Sequence, residues 1–360
     1  MLRVLASCLA LTLGGCSAPA APDDDRDDDR DDEGNDTDDD DDNAPEPAAF
    51  VYEPVEGSVC GNGTPAGLGL APLPGGSDTL VLIFNGGGAC WDNVSCFGLN
   101  AAAHLQTTYS ADVLAADLAP LQQTGLTDRN DVDNPLRDAH FAFVPYCTGD
   151  LGAGEATRQY QADLLGLDIR TVHHMGRANV RAFLAVLAER FNTVDTVFVL
   201  GASAGGYAAI LNDDLIVAAF PAADVHVLAD GAPFVQPQNG LYGTWQNQWS
   251  LPPVDCDGCD TDFAKRFEAR RLADLRRRFA LITTTNDEVI RTYFGFGLND
   301  MTGAVTALVD AQHDSDNSHA LVVAGTQHVL IGGYATPGSV VRDFVVDWAG
   351  NDADWRTIRP

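Results

Sequence analysis

Lysine is almost missing from this chain: one residue, Lys265, in 360. The glycine run Asn85-Gly86-Gly87-Gly88 is followed by no GKS or GKT, so a nucleotide-binding phosphate loop is excluded. Positive charge of any kind is short, with 21 Lys and Arg against 52 Asp and Glu and a net charge of −31. Residues 22–47 hold 16 of the acids and two Arg, yet residues 48–360 still carry 36 acids against 18 bases. Nucleic acid is therefore excluded as a partner, because phosphate binding needs basic patches. Cys256-Asp-Gly-Cys259 has no second CxxC to complete a zinc site and lies outside any strand-to-helix start, which leaves it as a loop staple rather than a metal or redox half-site. No internal repeat is visible. The N-terminal apolar run Val4–Leu13 is too short to span a bilayer as a mature helix.

That run does fit a signal. Arg3 supplies a basic start, Val4–Leu13 a short apolar core, and Leu13-Gly14-Gly15-Cys16 resembles a bacterial lipobox. Residues 1–15 then read as a lipoprotein signal peptide, with Cys16 as the lipidated N-terminus of an exported protein and Ser17 pointing to the outer membrane; an ordinary secretory signal with a chance Cys is the alternative. Residues 23–42 contain no hydrophobic side chain, cannot offset their conformational entropy by burial, and are expected to be disordered. The acidic stretch 16–49 reads as a self-repelling spacer. A calcium-binding tract is the other reading, but the Gly and Glu punctuation of a calcium loop is missing. Six cysteines remain, an even number in an exported chain, and this implies three disulfides. Local pairing gives Cys90–Cys96 and Cys256–Cys259 and leaves Cys60–Cys147.

Residues 50–360 suit one large domain. Short, continuously apolar runs recur at 79–84, 140–144, 196–200, 225–228, 279–283 and 320–323, the pattern of strands buried on both faces of a sheet. Helical periodicity lies between several of them: Val180, Phe183, Leu184, Leu187 and Phe191 share a face, as more loosely do Phe263, Phe267, Leu275 and Phe279, and residues 340–348 form a last helix. The alternation predicts an α/β fold with a mostly parallel central sheet and helices on both faces. Residues 107–135 and 235–262, rich in polar, Pro and Gly residues, read as irregular insertions of the kind that form lids.

The chemistry concentrates in Gly201-Ala202-Ser203-Ala204-Gly205, between a buried-type strand and a helix-forming run. Small residues allow a tight strand-to-helix turn that lifts the Ser203 hydroxyl to the start of a helix, where free N–H groups favour a developing oxyanion. The competing reading makes Ser203 a helix cap. A serine nucleophile needs a base and an acid that orients it. The strand at 279–283 is followed by Asp287 and the one at 320–323 by His328. Asp230, after the strand at 225–228, competes for the acid role or fixes the turn beneath the site. His313, in a helix-like surface segment ahead of its strand, is the weaker base. Gly87, Gly88 and the N–H of Ala204 are the candidate oxyanion donors.

Gly86–Cys96, Phe143–Asp150, Gly201–Gly206, Thr285–Asp287 and Gln327-His328 together resemble the pectin acetylesterase/Notum family of secreted serine esterases, in order, over residues 80–330. The resemblance implies an α/β-hydrolase fold and ester hydrolysis without a cofactor, with Ser203 as nucleophile, Asp287 as acid and His328 as base. It also implies a small-molecule or polysaccharide ester as substrate, an acylated polysaccharide such as pectin first. Many relatives have Trp directly after the glycines; here that position is Ala89, with Trp91 two further on. Trp91, Trp245 and Trp249 are candidates for stacking on sugar rings, with plain packing as the alternative. Lys265, Arg266, Arg270, Arg271 and Arg276–Arg278 either recognise a uronic acid or form a solvated helix face. Rival functions are a lipid or polyester hydrolase using the same residues, and a non-catalytic binding protein on a hydrolase scaffold.

Overall fold

The six continuously apolar runs all become strands, buried along most of their length. The computed structural model describes residues 48–163 and 167–360; the signal segment, Cys16 and the acidic linker up to residue 47 lie outside the described residues. Ala48 is already buried and donates its N–H to the Thr127 carbonyl at 2.9 Å, so the packed domain begins ahead of the expected boundary at residue 50.

In chain order the strands are β1 (Val51–Val59), β2 (Pro65–Ala71), β3 (Thr79–Phe84), β4 (His140–Val144), β5 (Ala156–Gln161), β6 (Ile169–His174), β7 (Thr196–Ala202), β8 (Asp224–Asp230), β9 (Phe279–Thr284), β10 (Asp314–Ser315) and β11 (Ser318–Val323). Nine form one sheet in the order β1-β2-β4-β3-β7-β8-β9-β11-β10. The six from β4 to β11 run parallel, with β1 and β2 added antiparallel at one edge and β10 at the other. β5 and β6 make a separate hairpin.

The helices are α1 (Ala111–Gln122), α2 (Gly176–Arg190), α3 (Ala204–Leu211), α4 (Asp213–Ala219), α5 (Leu241–Trp249), α6 (Phe263–Ala273), α7 (Glu288–Tyr293), α8 (Asp300–Gln312) and α9 (Val340–Gly350). Val180, Phe183, Leu184 and Leu187 are buried on α2 as the periodicity requires, and Phe191 caps that helix. Every residue of α3 is buried, and it packs on β7 and β8. The stretch 107–135 is less irregular than its composition suggests, because Ser110 accepts the Val113 N–H and starts α1. The weak stripe after residue 262 fails as one helix: α6 stops at Ala273, Leu275 is exposed, and Phe279 begins β9.

All three disulfides have the expected partners, Cys60–Cys147, Cys90–Cys96 and Cys256–Cys259. The arginines from 266 to 278 are only in part a solvated face, since Arg276 is exposed. Arg266, Arg271 and Arg277 are buried, and Arg277 pairs with the buried Asp213 of α4 while its Nε donates to the Val225 carbonyl at 2.8 Å. Removing one partner of a buried pair leaves the other charge uncompensated. Arg277→Ala is therefore expected to lower stability by roughly 3–5 kcal/mol, read by denaturant unfolding.

Candidate active site

Five parallel strands end along one rim of the sheet, and each is followed by or ends in a candidate site residue. The glycine loop follows β3 and Ser203 follows β7; Asp230 ends β8, while Asp287 and His328 lie on the loops after β9 and β11. Register aligns these ends: Phe84 lies opposite Gly201, Ala202 opposite Asp230, and Thr284 opposite Val323. The carboxyl ends of parallel strands are where open α/β sheets bind ligands.

Ser203 sits at φ +56° and ψ −127°, a strained conformation for a residue with a side chain. The turn exists because its neighbours lack one. A Cβ at Gly201 would lie 2.3 Å from the Gly205 carbonyl oxygen, and a Cβ at Gly205 would lie 2.1 Å from that of Phe84. The Ser203 N–H donates to the Asp230 carbonyl at 2.8 Å. Its hydroxyl does not cap α3, which removes the capping explanation for this serine.

Asp287 is fully buried and works in two directions. Its Oδ1 accepts the N–H groups of Val289 at 2.9 Å and Ile290 at 3.0 Å, and so starts α7. Its Oδ2 lies 2.7 Å from His328 Nδ1. An ionised carboxylate only accepts, so in this pair Nδ1 carries the proton and Nε2 keeps the lone pair. Nε2 is buried and has no hydrogen-bond partner among the described residues. The imidazole packs on Gly231, where a Cβ would approach Nδ1 to 3.2 Å. Gly231 directly follows the residue that bonds Ser203, so serine and imidazole flank the same short piece of chain.

Asp230 supports that arrangement from below. Its carboxylate accepts from Leu330 N at 2.9 Å and Ile331 N at 2.7 Å, which anchors the loop carrying His328. Burial pushes its carboxyl up to about 7, against the pull of those N–H groups and of His328. His313 is not on the surface as expected. It is buried and stacked on Phe267 at 4.6 Å, and desolvation pushes it down to about 3, so it is no base near neutral pH.

Hydrogen bonds hold two carbonyls of the glycine loop in place. The Gly87 carbonyl accepts from Ala103 N at 2.7 Å and the Gly88 carbonyl from the Tyr146 hydroxyl at 2.7 Å. Both glycines have positive φ, +147° and +73°. The Asn85 side chain accepts the Gly86 N–H at 3.0 Å and donates at 2.8 Å to Asp117, which also binds Tyr109 and His104. Ala204 opens α3, where a helix N–H has no carbonyl one turn earlier.

Ser203, Ala204 and Gly88 line one cleft with about 310 Å³ of empty space, mouth included, and its wall is mostly apolar, formed by Leu151, Tyr207, Trp245, Val289, Ile290, Tyr293 and Phe294 among others. These wall residues pack on one another, with Trp245–Phe294 centroids at 5.2 Å and Tyr207–Phe294 at 5.5 Å. Trp249 is not a sugar platform: it is buried, stacks on Trp245 at 5.2 Å, and donates Nε1–H to the Cys90 carbonyl at 2.8 Å. Trp245 touches the cleft from the wall but is also buried, and only Trp91 is part-exposed. From the stretch 235–262, Trp245 on α5 supplies part of the wall.

Sequence reasoning missed the contributions of Tyr293 and Tyr146. Tyr293 donates to the Ala101 carbonyl at 2.6 Å across Gly88, and Tyr146 grips the Gly88 carbonyl. Position within Phe143–Asp150 was the available signal for Tyr146; α7, too short for periodicity, offered none for Tyr293. Among the described residues, Cys90, Cys96 and His174 cluster closely enough to hold a metal, but both cysteines are tied up in their disulfide.

A mostly parallel sheet with a strained serine turn at its carboxyl rim defines an α/β-hydrolase fold. The sequence model of the pectinacetylesterase family matches residues 40–249, and the chain belongs to that family of carboxylic ester hydrolases. Among solved structures it is similar to the Wnt deacylase Notum from Drosophila, at 16% identity and a TM-score of 0.61, over 86% of this chain and 95% of that one. At that identity the likeness is one of fold. No curated protein matches the sequence.

Proposed function

We propose that the chain is a serine carboxylesterase that removes short acyl groups, acetyl first, from an acylated polysaccharide, the pectin of the family's name being one such polymer. Ser203 Oγ attacks the ester carbonyl while His328 Nε2 takes its proton. Asp287 holds the imidazole in the tautomer that leaves Nε2 basic and stabilises the imidazolium. The N–H groups of Ala204 and the Gly87-Gly88 loop receive the oxyanion. His328 returns the proton to the departing sugar oxygen, and water then releases the acyl group by the same steps. The observation that carries this proposal is the imidazole fixed by a buried carboxylate at Nδ1 while its buried Nε2 is left unpartnered. Export and anchoring through Cys16 belong to the same proposal and rest on the Leu13–Cys16 sequence together with the disulfides.

Short acyl groups are favoured because the cleft lined by Ser203 holds only about 310 Å³, mouth included, and wall rings such as Trp245, Phe294 and Tyr207 pack on one another. A p-nitrophenyl ester series from acetate to palmitate is the test. kcat/KM is expected to fall by roughly 100-fold or more once the acyl group outgrows the cleft, since each misfit methylene costs about 1–3 kcal/mol. A preference for long chains would replace this proposal with the lipid or polyester hydrolase.

A further inference from the structure

We infer that Asp117 is a positioning residue for hydrolysis: through Asn85 its carboxylate fixes the glycine loop that receives the oxyanion. This rests on the esterase proposal above and adds to it a residue that touches no substrate.

Asp117 lies on α1, with its side chain 15% exposed. Three donors from other parts of the chain meet on its two oxygens. Asn85 Nδ2 at 2.8 Å and the Tyr109 hydroxyl at 2.7 Å reach Oδ2, and His104 Nε2 reaches Oδ1 at 3.0 Å. A carboxylate only accepts, so each of these groups must donate. Burial first, and then Asp117 itself, raise the Tyr109 hydroxyl above its usual range and keep its proton in place. For Asn85 the demand settles which way the amide faces. Nδ2 turns to Asp117, and Oδ1 turns back to accept the Gly86 N–H at 3.0 Å. An amide in place of the Asp117 carboxylate could donate as well as accept, and would no longer dictate that orientation.

The loop so held is one side of a short antiparallel ladder. Ala89 N donates to the Ala101 carbonyl at 3.0 Å, Ala103 N donates to the Gly87 carbonyl at 2.7 Å, and Gly88 pairs with Ala102. This pairing puts Asn85 and His104 at the same end of the ladder, and Asp117 binds both. Tyr293 holds the Ala101 carbonyl at the other end. Play in the ladder reaches the chemistry directly, because its first glycine packs on the serine turn. A Cβ at Gly86 would lie 2.6 Å from the Ala202 carbonyl oxygen and 3.2 Å from Ser203 Cβ. Oxyanion donors work only when fixed where the charge develops, and a misplacement of about 1 Å costs on the order of 100-fold.

The test compares wild type with Asp117→Asn, Asn85→Asp and the two substitutions together, all in the full-length protein. Turnover of p-nitrophenyl acetate and a thermal melt are measured on each. In the double variant the carboxylate and the amide have changed places, so position 85 can again accept both the Gly86 N–H and the amide at position 117. Each single variant is expected to lose about 10- to 100-fold in kcat, short of the roughly 100- to 1,000-fold for losing a donor outright. KM should stay within about twofold, because acylation and deacylation each pass through an oxyanion and slow together. The double variant should return to within about fivefold of wild type, the coupling expected of contacting residues. Wild-type kcat in Asp117→Asn, or a folded double variant no faster than either single, overturns the inference. So does a loss that lies in KM or that follows the melting temperature across the set, which is the mark of a structural role alone. Should Asp117→Asn give no cooperative melt, Asn85→Ala carries the test, since it leaves Asp117 with Tyr109 and His104. A loss of about 10- to 100-fold in its kcat at unchanged KM supports the inference, and wild-type kcat overturns it. A wild-type protein that leaves p-nitrophenyl acetate untouched marks failure of the esterase proposal itself, and this inference falls with it.

Discussion

Ser203→Ala is expected to lower kcat on p-nitrophenyl acetate by on the order of 10⁵–10⁶-fold, the scale at which losing a triad serine disables the unit. Folding should survive. The Ser203 hydroxyl caps nothing in α3, and the backbone bond from Ser203 N to the Asp230 carbonyl does not depend on the side chain. Alanine has a Cβ like serine, so the strain at φ +56° is inherited rather than added. A stability change within about 0.5–1 kcal/mol is therefore expected. Residual hydrolysis should remain above the rate in water, because the N–H groups of the glycine loop and of Ala204 are still in place to polarise the ester. Steady-state kinetics with a thermal melt of the same sample checks both halves. A well-folded Ser203→Ala protein with full activity would remove Ser203 from the chemistry, whatever else the cleft does.

The parts of the molecule that could be read without coordinates are those where one physical demand fixes the residues. Strands buried on both faces must be apolar throughout, and β3, β4, β7, β8, β9 and β11 stand where their sequences put them. The crowded turn must be built from Gly and Ala, so Gly201–Gly205 could be found by composition alone. What failed depends on contacts between distant segments. β1 is an edge strand with Pro54 and two Glu, and its polar face hides the pairing with β2. Trp245 and Trp249 could be read from sequence as platforms or as plain packing, because an aromatic in a polar stretch fits either; their burial follows from α5, whose partners are Phe263, Phe294 and Cys90. His313 looked superficial at the end of a helix, and only the ring of Phe267 beneath it shows otherwise. Asp117 gave no signal because its meaning lies in Asn85, thirty-two residues earlier.

Asp287→Asn is expected to lower kcat by about 10⁴-fold with little change in KM, because an amide in place of the carboxylate favours the wrong imidazole tautomer and stabilises no imidazolium. Asparagine can still accept the Val289 and Ile290 N–H groups, so α7 and the cleft wall it carries should stay in place. Asp287→Ala would lose that cap too, about 1 kcal/mol, and blur the result. Asp230→Asn is the necessary companion. The Asp230 carboxylate reaches the chain at Leu330 and Ile331 rather than the ring of His328, so its loss should loosen the loop and cost only about tenfold in kcat, the scale of a supporting group. Its signature lies in stability instead. The folded carboxyl titrates at about 7 against an ordinary 3.8, so between those values the folded chain holds a proton that the unfolded chain has released. Wild-type stability therefore falls as pH rises through that window and levels off above it. Asp230→Asn should remove this part of the slope, and Asp287→Asn should leave it. Melting curves from pH 4 to 8, set beside kcat for both variants, separate the two acids. If Asp230→Asn costs 10⁴-fold while Asp287→Asn costs tenfold, the orienting role passes to Asp230.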